Sequence, residues 1–254
     1  MALLQCEIDS ESLRMDTQLI VFLPHDKSKA AVPRAILYLL HGRGSSGLSW
    51  IRNTNIELFA IKHGLALIMP SAGRSFYTDM AFGGAYFSYI TQELPELCKK
   101  MFHLDYGPEN TYIAGISMGG YGTLKCVLNY PERYAAAAAI GSVTDIAWRI
   151  NDTPAGSGPY RDLQGVFGAD PAIEQTDDLF ALAPIAAQSP HKPGLFMACG
   201  NQDDKQEQNQ RLSDILKKNG FDNTYLNWDG GHNWDFFLPA MDKALAFVFE
   251  GAKF

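Results

Sequence analysis

The segment TYIAGISMGG, residues 111–120, joins a β-type run to a helical run through a G-x-S-x-G turn. Its first part, Thr111–Ala114, is typical of a short buried strand, and the helix predicted over Met118–Tyr130 ends before a proline. A serine between such a strand and helix sits at a strained turn that raises its hydroxyl above the sheet. Flanking glycines let the strand and the helix cross closely. The setting predicts that Ser117 is a nucleophile, with a plain glycine-rich turn as the alternative.

Strand-like and helix-like segments alternate along most of the chain. The predicted strands are Leu3–Ile8, Leu19–Leu23, Ala35–Leu40, Leu65–Met69, Thr111–Ala114, the run YAAAAAIGS from residue 134, Gly194–Cys199 and Thr224–Trp228. The predicted helices are Ile51–Lys62, Tyr86–Phe102 with a kink at Pro95, Met118–Tyr130, Arg211–Asn219 and Trp234–Phe249. Alanine favours helices, but the alanine run is short and lies between two helical stretches, so we predict a buried strand there. The alternation predicts an α/β fold with a mostly parallel central sheet and helices on both faces.

The chain has the length and composition of one large domain. Its 254 residues are 46% hydrophobic, which is enough for a sizeable core. No repeat or interdomain linker interrupts the pattern, so we predict a single domain over residues 1–254. Residues 144–188 are rich in Gly, Pro and Asp and break the alternation. We expect this stretch to form a small cap-like insertion over the carboxyl edge of the sheet, where ligand sites of such folds lie.

Charge and cysteine usage restrict the partners and the compartment. A net charge of −7 argues against nucleic acid and anionic membrane surfaces as partners. No window approaches the apolar length of a membrane span, and the opening residues lack the pattern of a secretory signal peptide. The four cysteines are widely spaced, without a C-x-x-C pair. These features predict a cytoplasmic protein with free thiols.

A second glycine-rich stretch, LLHGRGSSG at residues 39–47, matches the dinucleotide fingerprint G-x-G-x-x-G. A dinucleotide site also needs an acidic residue at the end of the next strand, to hold the ribose. The predicted strand Leu65–Met69 is followed by Pro70 and Ser71 and by no acid. The sequence therefore disfavours nucleotide binding at this loop.

A serine nucleophile needs a base and an acid, which in this architecture follow it in the order serine, acid, histidine. Only His191 and His232 lie beyond Ser117. His191 precedes the strand Gly194–Cys199 and comes too early to follow an acid at that strand's end. His232 follows the last strand on a glycine turn, so we predict that it is the base, with a surface histidine as the alternative.

The acid should lie just beyond the carboxyl end of the preceding strand. The sequence GLFMACGNQDD places Asp203 and Asp204 there, and Asp229 is a third candidate on the approach to the histidine. The acid would hold the tautomer of the imidazole and stabilise the imidazolium that forms. The residues alone leave this choice open.

The whole chain resembles the tributyrin-esterase branch of the esterase D and antigen 85 group of α/β-hydrolases. The matching motifs run in family order from residue 39 to residue 234 and are LLHGRGSSGLSW, RSFYTDMAFGG, GISMGGYGTL, CGNQDD and GGHNW. The resemblance implies the α/β-hydrolase fold, with Ser117 as nucleophile and His232 as base. It also implies Asp203 as the acid, from the G-x-x-D that starts at Gly200.

The resemblance further implies an oxyanion hole, made by the backbone N–H groups of Arg43 and Met118. Members of the family more often have a hydrophobic residue at the position of Arg43. Its side chain is thus either free to line the mouth of the site, where it would favour acidic substrates, or simply solvated. The aromatic residues of these loops either form the substrate pocket or only pack, and they are Trp50, Phe76, Tyr77, Phe82 and Trp234.

Together these observations predict a cytoplasmic serine carboxylesterase that works without a metal or cofactor. The resemblance implies short acyl chains, such as acetyl or butyryl, on a small-molecule ester. The alternatives are an S-formylglutathione hydrolase, a feruloyl or acetylxylan esterase, an acyltransferase in which an alcohol replaces water, and a non-catalytic binding module. The sequence leaves the oligomeric state open, with a homo-oligomer among the options.

Overall fold

The protein is described by a computed structural model that covers residues 1–24 and 32–250. Its described residues form one eight-stranded sheet in the order β1-β2-β4-β3-β5-β6-β7-β8. Strands β3 to β8 run parallel, whereas β1 and β2 are antiparallel to their neighbours. The strands are β1 Ala2–Ser10, β2 Met15–Leu23, β3 Ala35–Leu40, β4 Leu65–Pro70, β5 Thr111–Ile116, β6 Ala136–Ile140, β7 Gly194–Gly200 and β8 Asn223–Trp228. The predicted α/β-hydrolase fold is confirmed.

Helices cover both faces of the sheet. They are α1 Leu48–Asn53, α2 Ile56–His63, α3 Tyr86–Ser88, α4 Leu94–Phe102, α5 Met118–Asn129, α6 Ile146–Asp152, α7 Gly158–Phe167, α8 Leu179–Ala186, α9 Gln206–Lys218 and α10 Trp234–Glu250. Buried side chains of α4, α5, α8 and α9 form the core on one face. Side chains of α1, α2 and α10 form the core on the other. In the part of the chain that the structure describes, no helix has both the length and the apolarity to cross a membrane.

The helix predicted over Ile51–Lys62 is in fact two helices, α1 and α2. Thr54 separates them: its hydroxyl donates to the Trp50 carbonyl at 2.6 Å and accepts the Ile56 N–H at 3.2 Å. A threonine hydroxyl that bonds the local backbone in this way competes with the helical ladder. The chain therefore turns at a residue that apolar periodicity alone does not mark.

The predicted kink at Pro95 takes the form of a π-helical turn, Tyr89–Glu93, between α3 and α4. A proline has no N–H to donate to the carbonyl four residues earlier, which here belongs to Thr91. That carbonyl instead accepts a hydrogen bond from the Arg133 guanidinium at 2.8 Å. The helix widens where the proline removes a bond, and a side chain from another segment satisfies the exposed oxygen.

The alanine run forms the buried strand that we predict, β6. Its side chains are almost completely buried and lie between α5 on one face and α10 on the other. Small side chains let both helices approach the sheet closely at this point, so packing outweighs the helical propensity of alanine.

The segment 144–188 connects β6 to β7 and contains α6, α7 and α8. It is tied to the core rather than loosely attached, because the buried Lys125 ammonium of α5 pairs with the Asp177 carboxylate. The Tyr121 hydroxyl also donates to the Asp177 carbonyl at 2.8 Å. Its division from the domain as a cap-like insertion stays a prediction, and residues 251–254 of the predicted domain lie outside the described residues.

Candidate active site

Ser117 occupies the turn between β5 and α5 in a conformation that side chains rarely adopt. Its φ of 56° and ψ of −118° are unfavourable for a residue with a Cβ and cost on the order of 1–3 kcal/mol. The Ser117 N–H donates to the Ile140 carbonyl of β6 at 2.8 Å. The surrounding strands thus hold the strained turn, and the serine hydroxyl is carried clear of the sheet.

Residue 119 must be glycine because α5 crosses very close to the end of β3. A Cβ at Gly119 would lie 2.0 Å from the Leu40 carbonyl oxygen at the end of β3. A Cβ at Gly115 would lie 2.2 Å from the Gly119 carbonyl oxygen. Any larger residue would push α5 away from the sheet and move Ser117 with it.

Three side chains from three different loops form a continuous hydrogen-bonded chain. The Ser117 Oγ lies 2.8 Å from His232 Nε2, and His232 Nδ1 lies 2.6 Å from Asp203 Oδ2. An ionised carboxylate can only accept, so Nδ1 carries the proton when the imidazole is neutral and Nε2 is left to accept the serine proton. The His232 side chain is 32% exposed and that of Asp203 is fully buried.

The Asp203 carboxylate is held on both of its oxygens. While Oδ2 accepts from His232, Oδ1 accepts from the backbone N–H and from the ammonium of Lys205, both at 3.1 Å. Burial raises the pKa of Asp203, but the hydrogen bond and charge of His232 and the charge of Lys205 outweigh it. The pKa of Asp203 is therefore held well below its usual range, and the group stays ionised at neutral pH.

The other candidate acids and the second histidine lie elsewhere. Asp204 is 60% exposed and pairs with the Lys205 ammonium. Asp229 accepts from Asn201 and Gln202 at the sheet edge. His191 contacts the Tyr134 carbonyl at 2.8 Å. Of the three aspartates, the structure brings Asp203 to the His232 ring.

Two backbone N–H groups beside Ser117 are free to bind an oxyanion. No described residue accepts a hydrogen bond from the N–H of Arg43 or of Met118. Gly42, next to Arg43, comes within contact distance of the serine, because a Cβ built on it would lie 3.5 Å from the Ser117 Cβ. The oxyanion hole that the resemblance implies stays a prediction.

The loop that carries Arg43 is held by the buried His41. The His41 Nδ1 donates to the Gly42 carbonyl at 2.7 Å, while Nε2 accepts the Ala72 N–H at 2.8 Å. Burial lowers the pKa of His41 to about 4, so the ring is neutral at physiological pH and can both donate and accept. The Tyr77 hydroxyl donates to the His41 carbonyl at 3.0 Å. His41 therefore fixes the loop without adding charge to the site.

A cavity of about 470 Å³ opens over Ser117. Its apolar lining comes from Phe76, Ile116, Met118, Val143, Trp234 and Phe237. The expectation that Trp50 and Tyr77 line the substrate pocket is not met. Both are fully buried in the core, where Trp50 packs edge-on against Trp234 and Tyr77 holds the His41 carbonyl. Phe82 is 68% exposed and lies outside the cavity lining.

The side chain of Arg43 lines the cavity, but it is neither free nor solely solvated. Its guanidinium pairs with Asp162 of α7 at 2.6 Å, and Arg74 contacts the same carboxylate at 3.3 Å. A segment distant in sequence thus fixes the side chain and neutralises part of its charge.

The residues at this site that the sequence does not predict are His41, Gly141, Arg149, Asp162 and Lys205. His41 and Lys205 lie inside or beside the quoted motifs, so their positions were a usable signal. Arg149 and Asp162 belong to the 144–188 segment, which has no recognisable motif. Only the folded chain brings Arg149 to the cavity lining and Asp162 to the guanidinium of Arg43.

The chain is similar to known proteins over most of its length. The chain matches the model of the putative esterase family over residues 10–248. It is 30% identical to an acetyl esterase of Caldicellulosiruptor saccharolyticus over 263 residues, 98% of this chain and 97% of that protein. It is 28% identical to S-formylglutathione hydrolase of Rattus norvegicus over 160 residues, 54% of this chain and 55% of that one.

Two solved structures of similar proteins match the fold of nearly the whole chain. The fluorophosphonate-binding serine hydrolase F of Staphylococcus aureus has a TM-score of 0.87 at 28% identity and covers 98% of both chains. S-formylglutathione hydrolase of the same organism has a TM-score of 0.84 at 28% identity, again over 98% of both chains. The Mycobacterium tuberculosis protein MPT51 shares the fold with a TM-score of 0.76 at 15% identity.

Proposed function

Since the chain belongs to the esterase family of α/β-hydrolases and is a carboxylic ester hydrolase, we propose that Ser117, His232 and Asp203 carry its reaction. The Ser117 oxygen attacks the ester carbonyl carbon while its proton moves to His232 Nε2. Asp203 accepts from Nδ1–H throughout and stabilises the imidazolium that forms. The observation that carries this assignment is the unbroken hydrogen-bonded chain from Oγ to Oδ2.

The carbonyl oxygen becomes an oxyanion as the new bond forms, and the N–H groups of Arg43 and Met118 bind it. Donors that are fixed before the reaction stabilise developing charge without further reorganisation. Their lack of other acceptors among the described residues supports this role, as does the rigid mounting of the loop on His41.

The tetrahedral intermediate then collapses and the alcohol leaves with the proton held by His232. This leaves the acyl group on the Ser117 oxygen. A water molecule gives a proton to His232 and attacks the acyl carbonyl, and the second intermediate releases the acid and restores the serine hydroxyl. No metal or redox cofactor enters these steps.

The substrates in this proposal are esters of short acyl groups, such as acetyl and butyryl. The relative that aligns over 97% of its own length is named an acetyl esterase. Bulky side chains, among them Phe76, Trp234 and Phe237, line the cavity at Ser117 and favour a small acyl group. The cytoplasm is the proposed compartment because all four cysteines are free.

Thioester hydrolysis on S-formylglutathione is the second candidate. It is supported by the Staphylococcus aureus structure of that name, which matches over 98% of both chains. The same residues would act, with a thiolate as the leaving group.

A panel of p-nitrophenyl esters from acetate to decanoate, with methyl ferulate and S-formylglutathione, tests the proposal. We expect the highest kcat/KM for the shortest p-nitrophenyl esters and a loss of roughly 10⁶-fold in kcat for Ser117→Ala. Ser189→Ala, on a serine that precedes β7 away from the cavity, is the matched control and should keep full activity. If Ser117→Ala retained wild-type turnover, the assignment would be wrong.

A further inference from the structure

Of the described residues, two arginines and one lysine line the cavity over Ser117, and the three differ in their partners. Arg43 pairs with Asp162, and the Lys205 ammonium pairs with Asp203 and Asp204. The third is Arg149. Within residues 1–24 and 32–250, its guanidinium has no carboxylate or other hydrogen-bond partner. It is half-buried, so part of its hydration is lost without a replacement from the protein.

The helix that carries Arg149 is firmly anchored. Asp145 caps the start of α6, and its backbone N–H donates to the Gln208 side chain at 2.9 Å. The Asp145 carboxylate also pairs with Arg211 at 3.3 Å. Asp145 is therefore engaged with other groups, and among the described residues no ion pair joins Arg149 to Asp152, three residues further along α6. The helix holds Arg149 in place beside the cavity.

We propose that Arg149 binds a free carboxylate on the substrate, so that the preferred substrates are esters that carry a second, anionic carboxyl group. This inference rests on the proposed function, since it names the substrate class of the same site. A guanidinium recognises a carboxylate through two parallel N–H bonds. The paired Arg43 and Lys205 are already occupied by protein carboxylates, which leaves Arg149 as the cation available to a ligand.

The volume and charge of the cavity fit such a substrate. A cavity of about 470 Å³ is large enough for an ester and a further charged group. The acidic residue in its lining is Asp204, and the Lys205 ammonium pairs with the Asp204 carboxylate. An unpaired arginine here contrasts with the net charge of −7 of the whole chain, which would otherwise repel an anionic ester.

Two matched pairs of chromogenic esters test the inference. In the first pair, p-nitrophenyl acetate is compared with the acetate of a nitrophenol that bears a ring carboxylate. In the second, p-nitrophenyl pentanoate is compared with mono-p-nitrophenyl glutarate. The first pair places the anion on the alcohol side and the second on the acyl side. A preference of wild type for the anionic member of either pair, by roughly tenfold or more in kcat/KM, supports the inference and tells which side Arg149 reads.

The variant Arg149→Met should remove that preference, and Arg149→Lys should restore part of it. Arg161→Met is the matched control, on an exposed arginine of α7 that does not line the cavity, and should behave as wild type. The preference should also weaken at high ionic strength. Equal kcat/KM for both members of both pairs, or an unchanged preference in Arg149→Met, would overturn the inference. If wild type hydrolysed none of the four esters, the proposed function itself would fail.

Discussion

A Cβ on Gly141 would lie 3.3 Å from His232 Nδ1. It would also come within 3.4 Å of Asp203 Oδ2 and 2.9 Å of the Phe237 ring. Gly141 directly follows β6, has a φ of 54°, and its N–H donates to the Ala198 carbonyl at 2.7 Å. The acid and the base thus meet over a residue where a side chain would displace Phe237 and crowd the His232 ring.

We predict that Gly141→Ala lowers kcat/KM by roughly 10²-fold, because a small displacement of a catalytic group is costly. Gly156→Ala separates this effect from backbone strain. Gly156 also has a positive φ, 75°, but a Cβ there would meet nothing within 4 Å. Both variants should lose stability, by about 1 kcal/mol for Gly156→Ala, as measured by urea denaturation. Only Gly141→Ala should lose activity, and equal rates for the two variants would contradict the prediction.

The two adjacent aspartates should respond very differently to substitution. Asp203→Asn replaces the acceptor of Nδ1–H by an amide and should lower kcat by roughly 10⁴-fold. Asp204→Asn removes only a largely exposed pair with Lys205, so kcat should change less than about threefold. Steady-state kinetics on p-nitrophenyl acetate decides. The reverse pattern would move the acid to Asp204.

The pH dependence should depend on Lys205. His232 must be neutral to accept the serine proton, so kcat/KM should rise with pH as the ring loses its proton. The ring faces Asp203, Ser117 and Phe237. The Lys205 ammonium offsets part of the Asp203 charge that stabilises the imidazolium.

Lys205→Met should therefore stabilise the protonated ring and move the inflection of the pH profile to higher pH. Lys217→Met, at the exposed end of α9, is the control and should leave the profile unchanged. An inflection that stayed in place, or moved to lower pH, in Lys205→Met would exclude this electrostatic role.

A structural carboxylate far from the site should make stability depend on pH. Glu93 accepts hydrogen bonds from the Ser10 hydroxyl and from the N–H groups of Glu11 and Ser12, at 2.9 to 3.0 Å. It thereby holds the turn between β1 and β2. Burial raises the pKa of Glu93, but these hydrogen bonds outweigh it and lower the pKa below its ordinary value. The stabilisation is present above about pH 4.3, the unfolded value, and is lost as pH falls through the folded pKa.

Glu93→Gln should lower the free energy of unfolding at neutral pH, and its difference from wild type should shrink as the pH falls below about 4. Glu96→Gln, on an exposed glutamate of the following helix α4, should show almost no difference from wild type at neutral or acidic pH. Urea denaturation at both pH values measures this. A Glu93→Gln deficit that grew on acidification would have the wrong sign.

The sequence predicts buried strands well, because a strand covered on both faces is a short run of apolar residues. The bounds of β3, Ala35–Leu40, are predicted without error. The predicted start of α9 at Arg211 is five residues too late. Its first turns include Gln208 and Asn209, which are polar but buried and form hydrogen bonds to distant segments. Because these residues are not apolar, apolar periodicity does not reveal this part of the helix.

In the candidate site, too, some residues are predicted from the sequence and others are found only in the folded structure. Ser117, Asp203 and His232 lie in loops at strand ends whose motifs identify them, and the fold brings such loops together. The pair of Arg43 with Asp162 joins residues 119 positions apart, in a segment with no motif. The aromatic residues look alike in sequence, but Trp50 packs in the core and Trp234 lines the cavity. Tertiary packing alone separates them.

Labelling with a fluorophosphonate probe, followed by peptide mapping by mass spectrometry, tests the nucleophile most directly. Wild type should carry one label, on the peptide that contains Ser117, and denatured protein should carry none. His232→Ala should react far more slowly, because the serine proton then has no acceptor. Ser117→Ala should remain unlabelled while folded. A label on any other residue, or labelling that persists in Ser117→Ala, would contradict it.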